Sequence, residues 1–149
     1  MTSKASYQPE GYQTVIPYIH ANNARKLISF LKEAFDAQEI AVYPRPDGTI
    51  GHAALRVGDS VVELADAGAE WPAMPCAMQV YVPDTDAAYQ RALKAGATSL
   101  SAPVTQFYGD RSANVRDMCG NNWYIATQVE ALSKEEIDRR IAAMATQAQ

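Results

Sequence analysis

The chain has 149 residues, of which 48% are hydrophobic and 20% charged, and its formal net charge is -4. This size and composition are typical of a globular protein with a real hydrophobic core, and the sequence pI ≈ 5.1 gives no basic surface of the kind that nucleic acid or an anionic membrane attracts. The opening residues lack the apolar segment of a signal peptide, and no apolar run is long enough to span a bilayer. We therefore expect a cytoplasmic protein without nucleic-acid or membrane partners.

The first half of the chain predicts one strand, one helix and three further strands. After a leader of residues 1–11, predicted to be flexible, the β-branched and aromatic residues of 12–19 indicate a strand. Asn22 or Asn23 can cap a helix over 24–35, where apolar residues recur at helical spacing. Three more strands are predicted, separated by the turn residues 45–49 and 58–59, and they cover 38–44, 49–57 and 60–66.

The second half repeats this order. The linker 67–75 leads to a strand over 76–83 and to a helix that Asp84 or Thr85 caps and Gly96 ends. Three more strands are predicted, and they cover 98–104, 112–117 and 121–128. The two cysteines, Cys76 and Cys119, have no partner at zinc-site spacing, so we expect free thiols.

The repeat predicts an α+β fold made of two tandem βαβββ repeats, 12–70 and 75–130, in a single domain over 12–130. Each helix can cover one face of its sheet, so the other face stays open. Two such sheets, paired about a pseudo-twofold axis, would form a curled mixed sheet, a half-barrel cup for a small molecule. Residues 131–149 predict a C-terminal helix that opens with a capping box from Ser133 to Glu136. Its apolar stripe, Ile137, Ile141 and Met144, is expected to pack on the domain or on a second subunit.

Four segments of the chain resemble the glyoxalase/bleomycin resistance protein/dioxygenase family, the vicinal oxygen chelate superfamily. They are GYQTVIPYI, FLKEAFDA, GHAALRVGDSVVELAD and QFYGDRSANVRD, and the resemblance extends over residues 10 to 145. It implies the fold, a small-molecule ligand and a homodimer. It leaves the activity open, because the superfamily includes isomerases, dioxygenases, thiol transferases and metal-free drug-binding proteins.

Metal-dependent members of this family hold one divalent ion with four side chains, typically two histidines and two glutamates. The resemblance places Ile16, Glu63, Ala77 and Tyr124 at those four positions. Only Glu63 is a usual metal ligand, and one carboxylate with a tyrosine supplies too few donors. We therefore expect no metal cofactor. The alternative is a divalent ion (Zn, Ni, Mn or Fe) held by Glu63 with His52 or Gln79.

Strand alternation predicts which side chains share the open face with Glu63. Val61, Ala65 and Tyr124 would point into the cup. Thr14, Ile16 and Tyr18 would line one wall, and Ala77, Gln79 and Tyr81 would line the other. Glu63 is the candidate catalytic residue. The candidate ligand-binding residues are His52, Arg56, Gln79, Tyr81, Tyr108, Arg111 and Tyr124.

Several of these residues have a structural alternative. Arg56 or Arg111 could neutralise Glu63, or Glu63 could be hydrogen-bonded between the repeats with no catalytic role. His20 is expected to have a structural role, and His52 has a rim or packing role as its alternative. Trp71 is expected to pack, with the mouth of the cup and the dimer contact as the other positions open to it. The loop 106–111 either closes over a ligand or is ordered by an Asp110–Arg111 or Asp110–backbone contact.

Three functions remain open from the sequence. The first is a metal-independent binding protein whose cup holds an organic ligand. The second is a lyase, isomerase or dioxygenase in which Glu63 acts as base or metal ligand, supported by His52, Gln79 or Tyr124. The third is a noncatalytic scaffold or regulator whose cup is filled by its own side chains.

Overall fold

The computed structural model describes residues 2–148, and the chain divides after Pro75 into two compact units. We call them the N-terminal unit and the C-terminal unit. The first residue of the predicted leader and the last residue of the predicted C-terminal helix lie outside the described residues. None of the helices in residues 2–148 combines the length and the apolar character that a membrane crossing requires.

The N-terminal unit contains one helix and a four-stranded mixed sheet. Its elements in chain order are β1 (Tyr18–Ala21), α1 (Ala24–Phe35), β2 (Gln38–Pro44), β3 (Ile50–Val57) and β4 (Ser60–Asp66). The strand order across the sheet is β1-β4-β3-β2. Strand β1 runs parallel to β4, and the other neighbouring strands are antiparallel.

Helix α1 begins and ends where its sequence predicts. The Asn23 side chain accepts a hydrogen bond from the Lys26 N–H at 3.2 Å, which satisfies one of the free amides of the first turn. The apolar stripe of α1 is buried, including Leu27 and Leu31, and it covers the face of the sheet on which Leu64 is also fully buried. The opposite face of this sheet is therefore the one available for a site.

Strand β1 is shorter than the predicted strand over 12–19. It begins at Tyr18, because Pro17 has no N–H to donate to a ladder. The preceding segment is held differently: the Gln13 side chain hydrogen-bonds both the N–H and the C=O of Val61, and the Pro17 carbonyl accepts from Glu63 N–H at 2.9 Å. The expectation that Thr14 and Ile16 line a strand wall is therefore wrong.

The C-terminal unit repeats the same architecture. Its elements are β5 (Ala77–Tyr81), α2 (Thr85–Lys94), β6 (Thr98–Thr105), β7 (Asp110–Arg116), β8 (Asn122–Gln128) and α3 (Lys134–Gln147). The strand order β5-β8-β7-β6 matches that of the first sheet. Asp84 caps α2, and Gly96 follows it with a φ of 108°, a conformation that favours glycine. The predicted α+β fold of two tandem βαβββ repeats and a C-terminal helix is confirmed.

A buried polar turn holds the β7–β8 hairpin of the C-terminal unit. Asp117 is only 4% exposed, and its carboxylate accepts hydrogen bonds from the backbone of Cys119, from Asn121 and from the Trp123 indole N–H. A buried carboxylate is tolerated when donors surround it in this way. The turn therefore fixes the buried side chain of Trp123 in strand β8.

Helix α3 opens as predicted, with the Ser133 hydroxyl accepting from the Glu136 N–H at 3.1 Å. Its attachment differs from the prediction. None of its described residues is buried, and Ile141 and Met144 are 45% and 41% exposed. Arg140 holds the helix instead, through Glu130 and the Phe107 carbonyl, each at 3.0 Å. Packing of these two side chains on the domain is therefore not observed.

Candidate functional site

Five rings lie side by side on the open face of the N-terminal sheet, and we call them the ring row. In order they are Trp71, His20, Tyr18, His52 and Tyr43, with successive centroid separations of 5.8, 5.2, 5.8 and 6.3 Å. The outer pairs are nearly parallel, at 11° for Trp71 with His20 and 20° for Tyr43 with His52. Tyr43 and Trp71 are each 63% exposed, so both ends of the ring row are open to a ligand.

Strand register brings these rings together. Tyr18 and His20 occupy alternate positions of β1 and share a face, and Tyr43 of β2 is the direct partner of His52 of β3. Trp71 comes from the segment after β4. That segment is fastened to β1 by a hydrogen bond from Met74 N–H to the His20 carbonyl, and it turns on a Gly68 N–H bond to the Trp71 carbonyl.

A cavity of about 540 Å³ opens at the Trp71 end of the ring row. This volume lies within the usual range for small-molecule sites. Its lining combines aromatic, charged and small residues, and these are Tyr18, His20, Arg45, Gly51, Ala65, Asp66, Gly68, Ala69, Glu70 and Trp71.

Three side chains at the centre of the ring row form a polar cluster: Glu63, His52 and Tyr18. Glu63 is the β4 partner of Tyr18 and points to the same face. The Tyr18 hydroxyl lies 3.2 Å from His52 Nδ1, and His52 Nε2 lies 3.9 Å from Glu63 Oε1. Burial raises the pKa of the Tyr18 phenol, and the negative charge of Glu63 raises it further. The phenol is therefore protonated at neutral pH and can serve as a hydrogen-bond donor.

The predicted residues of the C-terminal unit form a different arrangement. The Tyr81 hydroxyl donates to Asp110 Oδ2 at 2.9 Å, and Asp110 is buried. This hydrogen bond to a carboxylate is the main cause of the raised pKa of Tyr81. Gln79 is the strand partner of Tyr124. The rings of Tyr108 and Phe107 meet edge to face. The side chains of Tyr108 and Tyr124 are exposed.

Neither arginine considered as a partner for Glu63 pairs with it in the structure. Arg111 makes an ion pair with Asp86 of α2, with both Nε and Nη2 donating to the carboxylate. Arg56 Nη1 donates to the Gly11 carbonyl at 3.0 Å. Of the two contacts expected to order the loop 106–111, the structure contains an Asp110–backbone contact, from Gln106 N–H to the Asp110 carbonyl at 2.7 Å. Arg111 pairs with Asp86 instead, and the Asp110 carboxylate accepts from the Tyr81 hydroxyl. These two arginines position loops and a helix.

The four metal positions implied by the resemblance are not reproduced as a donor set. In the parallel strand pairs, Tyr18 lies beside Glu63 and Gln79 lies beside Tyr124, whereas Ile16 precedes β1 and Ala77 pairs with Asn122. Within residues 2–148, no group of three or more histidine, cysteine, aspartate or glutamate side chains is placed to hold a metal ion. His52 and Glu63 supply a pair, which is fewer ligands than a zinc site uses.

His20, Tyr43 and Trp71 were not among the predicted ligand-binding residues. His20 was assigned a structural role and Trp71 a packing role, and the structure shows that their rings also line the cavity. The alternation of Tyr18 and His20 in the first strand was a usable signal, because residues two apart share a face. The position of Trp71 depends on a loop, and no sequence pattern predicts it.

The chain matches one family model and is similar to uncharacterized proteins of mycobacteria. The family model described as "Glyoxalase/Bleomycin resistance protein/Dioxygenase superfamily" matches residues 15–125. An uncharacterized protein of Mycobacterium bovis is 36% identical over 145 residues, with 88% of this chain and 91% of the relative covered. An uncharacterized protein of Mycobacterium tuberculosis strain H37Rv has the same identity, with 88% and 82% covered.

Two solved structures share the fold at low identity. TioX from Micromonospora sp. ML1 has a TM-score of 0.67 at 22% identity, covering 78% of this chain and 98% of that chain. TnmS3, described as an antibiotic binding protein from Streptomyces sp. CB03234, has a TM-score of 0.61 at 18% identity, covering 78% and 99%. These similarities support the fold. The case for a ligand therefore depends on the residues of the site.

Proposed function

The chain belongs to the glyoxalase/bleomycin resistance protein/dioxygenase superfamily, and on this premise we propose that it binds a small, flat organic ligand on the ring row without a metal ion. The observation that carries the proposal is the continuity of the ring row. The five rings present a wide aromatic surface, and four of them stand on strands of one sheet: Tyr18 and His20 on β1, Tyr43 on β2 and His52 on β3. Flat aromatic ligands gain stacking energy on such a surface in addition to the area that they bury.

The charge and shape of the surroundings support a small ligand. The cavity of about 540 Å³ beside Trp71 can take a molecule of a few fused rings. Arg45 and Glu70 at its lining supply charges of both signs for orienting polar substituents. The description of TnmS3 as an antibiotic binding protein shows that one protein of this fold has a binding role, which agrees with the proposal for this chain.

The metal-free part of the proposal rests on the donor set. Glu63 and His52 are the two ligand-type side chains of the polar cluster, and Tyr18 takes the neighbouring position. The alternative function is a divalent-metal-dependent lyase, isomerase or dioxygenase that uses Glu63. The observation that favours it is the 3.9 Å approach of His52 to Glu63, because these two residue types often bind metals together.

Elemental analysis separates these two functions. The protein is purified without chelators or an affinity tag that binds metals, and its zinc, nickel, manganese and iron contents are measured. We expect substoichiometric amounts of all four. One metal per chain that is lost in Glu63→Gln and in His52→Asn would support the alternative function and contradict the proposal.

Ligand binding is tested with a matched pair of probes. Quinoline is flat, aromatic and neutral, whereas 2-decalone is a neutral bicycle of similar size that has one acceptor and no flat faces. Calorimetry should show binding of quinoline and a weaker interaction with 2-decalone. Trp71→Ala should weaken quinoline binding by roughly 5–10-fold, because one stacking partner is worth about 1 kcal/mol. Tyr7→Ala is the control, since Tyr7 is almost fully exposed in the leader.

Equal affinity of the wild type and Trp71→Ala for quinoline would contradict the proposal. Tighter binding of 2-decalone would contradict it as well, because burial alone would then explain the affinity.

We also propose that the protein is a cytoplasmic homodimer. The support for a dimer is the exposed apolar pair Ile141 and Met144 on α3, which a second subunit could cover. Light scattering of the full chain measures the mass directly, and a monomer at micromolar concentration would contradict this proposal.

A further inference from the structure

Glu63 is a half-buried carboxylate on the ring row that lacks hydrogen-bond donors. Its side chain is 22% exposed, and within residues 2–148 no hydrogen bond reaches its oxygens. His52 Nε2 lies 3.9 Å away, which is within the range of an ion pair and too long for a hydrogen bond. A carboxylate can accept about four hydrogen bonds, and water can supply donors to the exposed part of Glu63. A ligand that covers Glu63 without offering a donor would remove that water at a cost in free energy. A bound ligand that brings an N–H donor would relieve this cost.

Tyr18 lies beside Glu63 and can donate a hydrogen bond, which an ionised carboxylate cannot do. Its hydroxyl has one donor and two acceptor positions, and the contact with His52 Nδ1 uses one of them. In the tautomer that carries its hydrogen on Nδ1, His52 donates to the Tyr18 oxygen. The Tyr18 O–H is then left to donate to a ligand. The cluster thus presents an acceptor and a donor on neighbouring strand positions, since Tyr18 and Glu63 are direct partners in β1 and β4.

From this placement we propose that the site selects planar cyclic amides, in which a ring N–H lies next to a ring carbonyl. The ligand N–H donates to the Glu63 carboxylate, and the ligand carbonyl accepts from the Tyr18 hydroxyl. The flat ring system lies against the neighbouring rings of the ring row. This inference rests on the proposed function and adds the chemical class of the ligand.

The geometry favours this class over other flat molecules for a physical reason. A purely aromatic ligand leaves the Glu63 carboxylate without a donor and further removes it from water, which opposes binding. A cyclic amide supplies the donor and the acceptor within the plane of the ring, so both contacts form while the ring stays stacked. Hydrogen bonds to charged groups are stronger than neutral ones, so the N–H contact should dominate the preference.

Three probes of nearly equal size test the proposal by calorimetry. Quinolin-2(1H)-one has the adjacent N–H and carbonyl, N-methylquinolin-2-one lacks the N–H, and quinoline lacks the carbonyl. We expect quinolin-2(1H)-one to bind at least about tenfold more tightly than its N-methyl form. Glu63→Gln should reduce this ratio to about threefold or less, because the neutral amide is a weaker acceptor.

Tyr18→Phe provides the second arm. It removes the hydroxyl and keeps the ring, so it should weaken both quinolinones by about fivefold while changing quinoline little. Glu33→Gln is the matched control, because Glu33 is an exposed carboxylate on α1, the helix that covers the opposite face of the sheet. It should leave the ratio between the two quinolinones unchanged. A thermal melt of each variant shows that the folded protein is being compared.

The outcomes distinguish this inference from the proposed function. If quinoline and both quinolinones bind with equal affinity, the preference for cyclic amides is wrong and the ring row remains a binding surface. If Glu63→Gln leaves the affinity ratio between the two quinolinones unchanged, Glu63 does not bind the ligand N–H and the inference is wrong. If none of the three probes binds, the proposed function fails and this inference fails with it.

Discussion

The two units share one topology and differ in what their sheets present. In the N-terminal unit, Tyr18 and His20 on β1 extend into a row of rings with Glu63 beside them. In the C-terminal unit, the corresponding strand β5 carries Gln79 and Tyr81, and the Tyr81 hydroxyl is tied to the buried carboxylate of Asp110. The duplication therefore repeats the scaffold and leaves the chemistry to the exposed positions of each sheet, as expected when function depends on side chains placed on a common fold.

A second difference concerns the carboxylates that hold each unit together. Asp117 in the C-terminal unit is surrounded by donors from a turn and from Trp123. Asp66 in the N-terminal unit accepts from the backbone N–H of Ala24 at 2.7 Å and of Ile50 at 2.6 Å. Both are structural carboxylates, and they differ in burial and in the number of donors that depend on them.

The largest expected effect is on stability. Asp117→Ala leaves the Trp123 indole N–H and the Asn121 side chain without their acceptor inside the C-terminal unit. It should lower the free energy of unfolding by about 3 kcal/mol, measured by urea denaturation. Asp59→Ala in the exposed β3–β4 turn is the control and should change stability by less than about 0.5 kcal/mol. A loss below about 1 kcal/mol for Asp117→Ala would show that the turn contributes little.

Asp66→Ala should cost less, about 1–2 kcal/mol, because two backbone donors are affected and water can replace the carboxylate at the cavity. The same denaturation series measures it. An equal loss of unfolding free energy in Asp66→Ala and Asp117→Ala would contradict the proposed difference between the two carboxylates.

The next prediction tests which of the two sheets binds the ligand. Tyr43→Ala removes the terminal ring that stacks on His52, whereas Tyr124→Ala removes an exposed tyrosine of the C-terminal sheet. Calorimetric titration with quinoline should show about 3–5-fold weaker binding for Tyr43→Ala and no change for Tyr124→Ala. The reverse result would move the ligand to the C-terminal unit.

The smallest effect concerns α3, the helix without a counterpart in the N-terminal unit. Hydrogen bonds from Arg139 and Arg140 lower the pKa of Glu136 to about 2. A carboxylate whose pKa is lowered in the folded state stabilises it above the unfolded pKa, near 4.5, and this contribution is lost as the pH falls toward 2. Circular dichroism should therefore show a small loss of helix between pH 4.5 and 2, and Glu136→Gln should remove this pH-dependent step. A loss of the same size in Glu136→Gln would assign it to other groups.

The sequence predicts most of the fold because its signals are local and occur twice. Asn23, Asp84 and Ser133 cap the three helices, and the strands β2 and β4 have their predicted bounds. The start of β1 was wrong because an apolar β-branched segment looks like a strand even when Pro17 and the Gln13 side chain hold it outside the ladder. Local pattern cannot show which partner satisfies a backbone group.

The site was less predictable for a related reason. Glu63 and His52 were identified as candidates, and the structure places them 3.9 Å apart. The pairing of Arg111 with Asp86 depends on how α2 lies on its sheet, and the stacking of Trp71 on His20 depends on a turn in the linker. Contacts between residues distant in sequence follow from strand register and loop geometry, which the residue pattern alone does not fix.

A crystal structure of the protein soaked with quinolin-2(1H)-one would show whether the ring row is the binding site. We expect the ligand to lie flat against the ring row, with its N–H donating to the Glu63 carboxylate and its carbonyl accepting from the Tyr18 hydroxyl. Density for the ligand on the C-terminal unit, with the ring row unchanged and vacant, would contradict it.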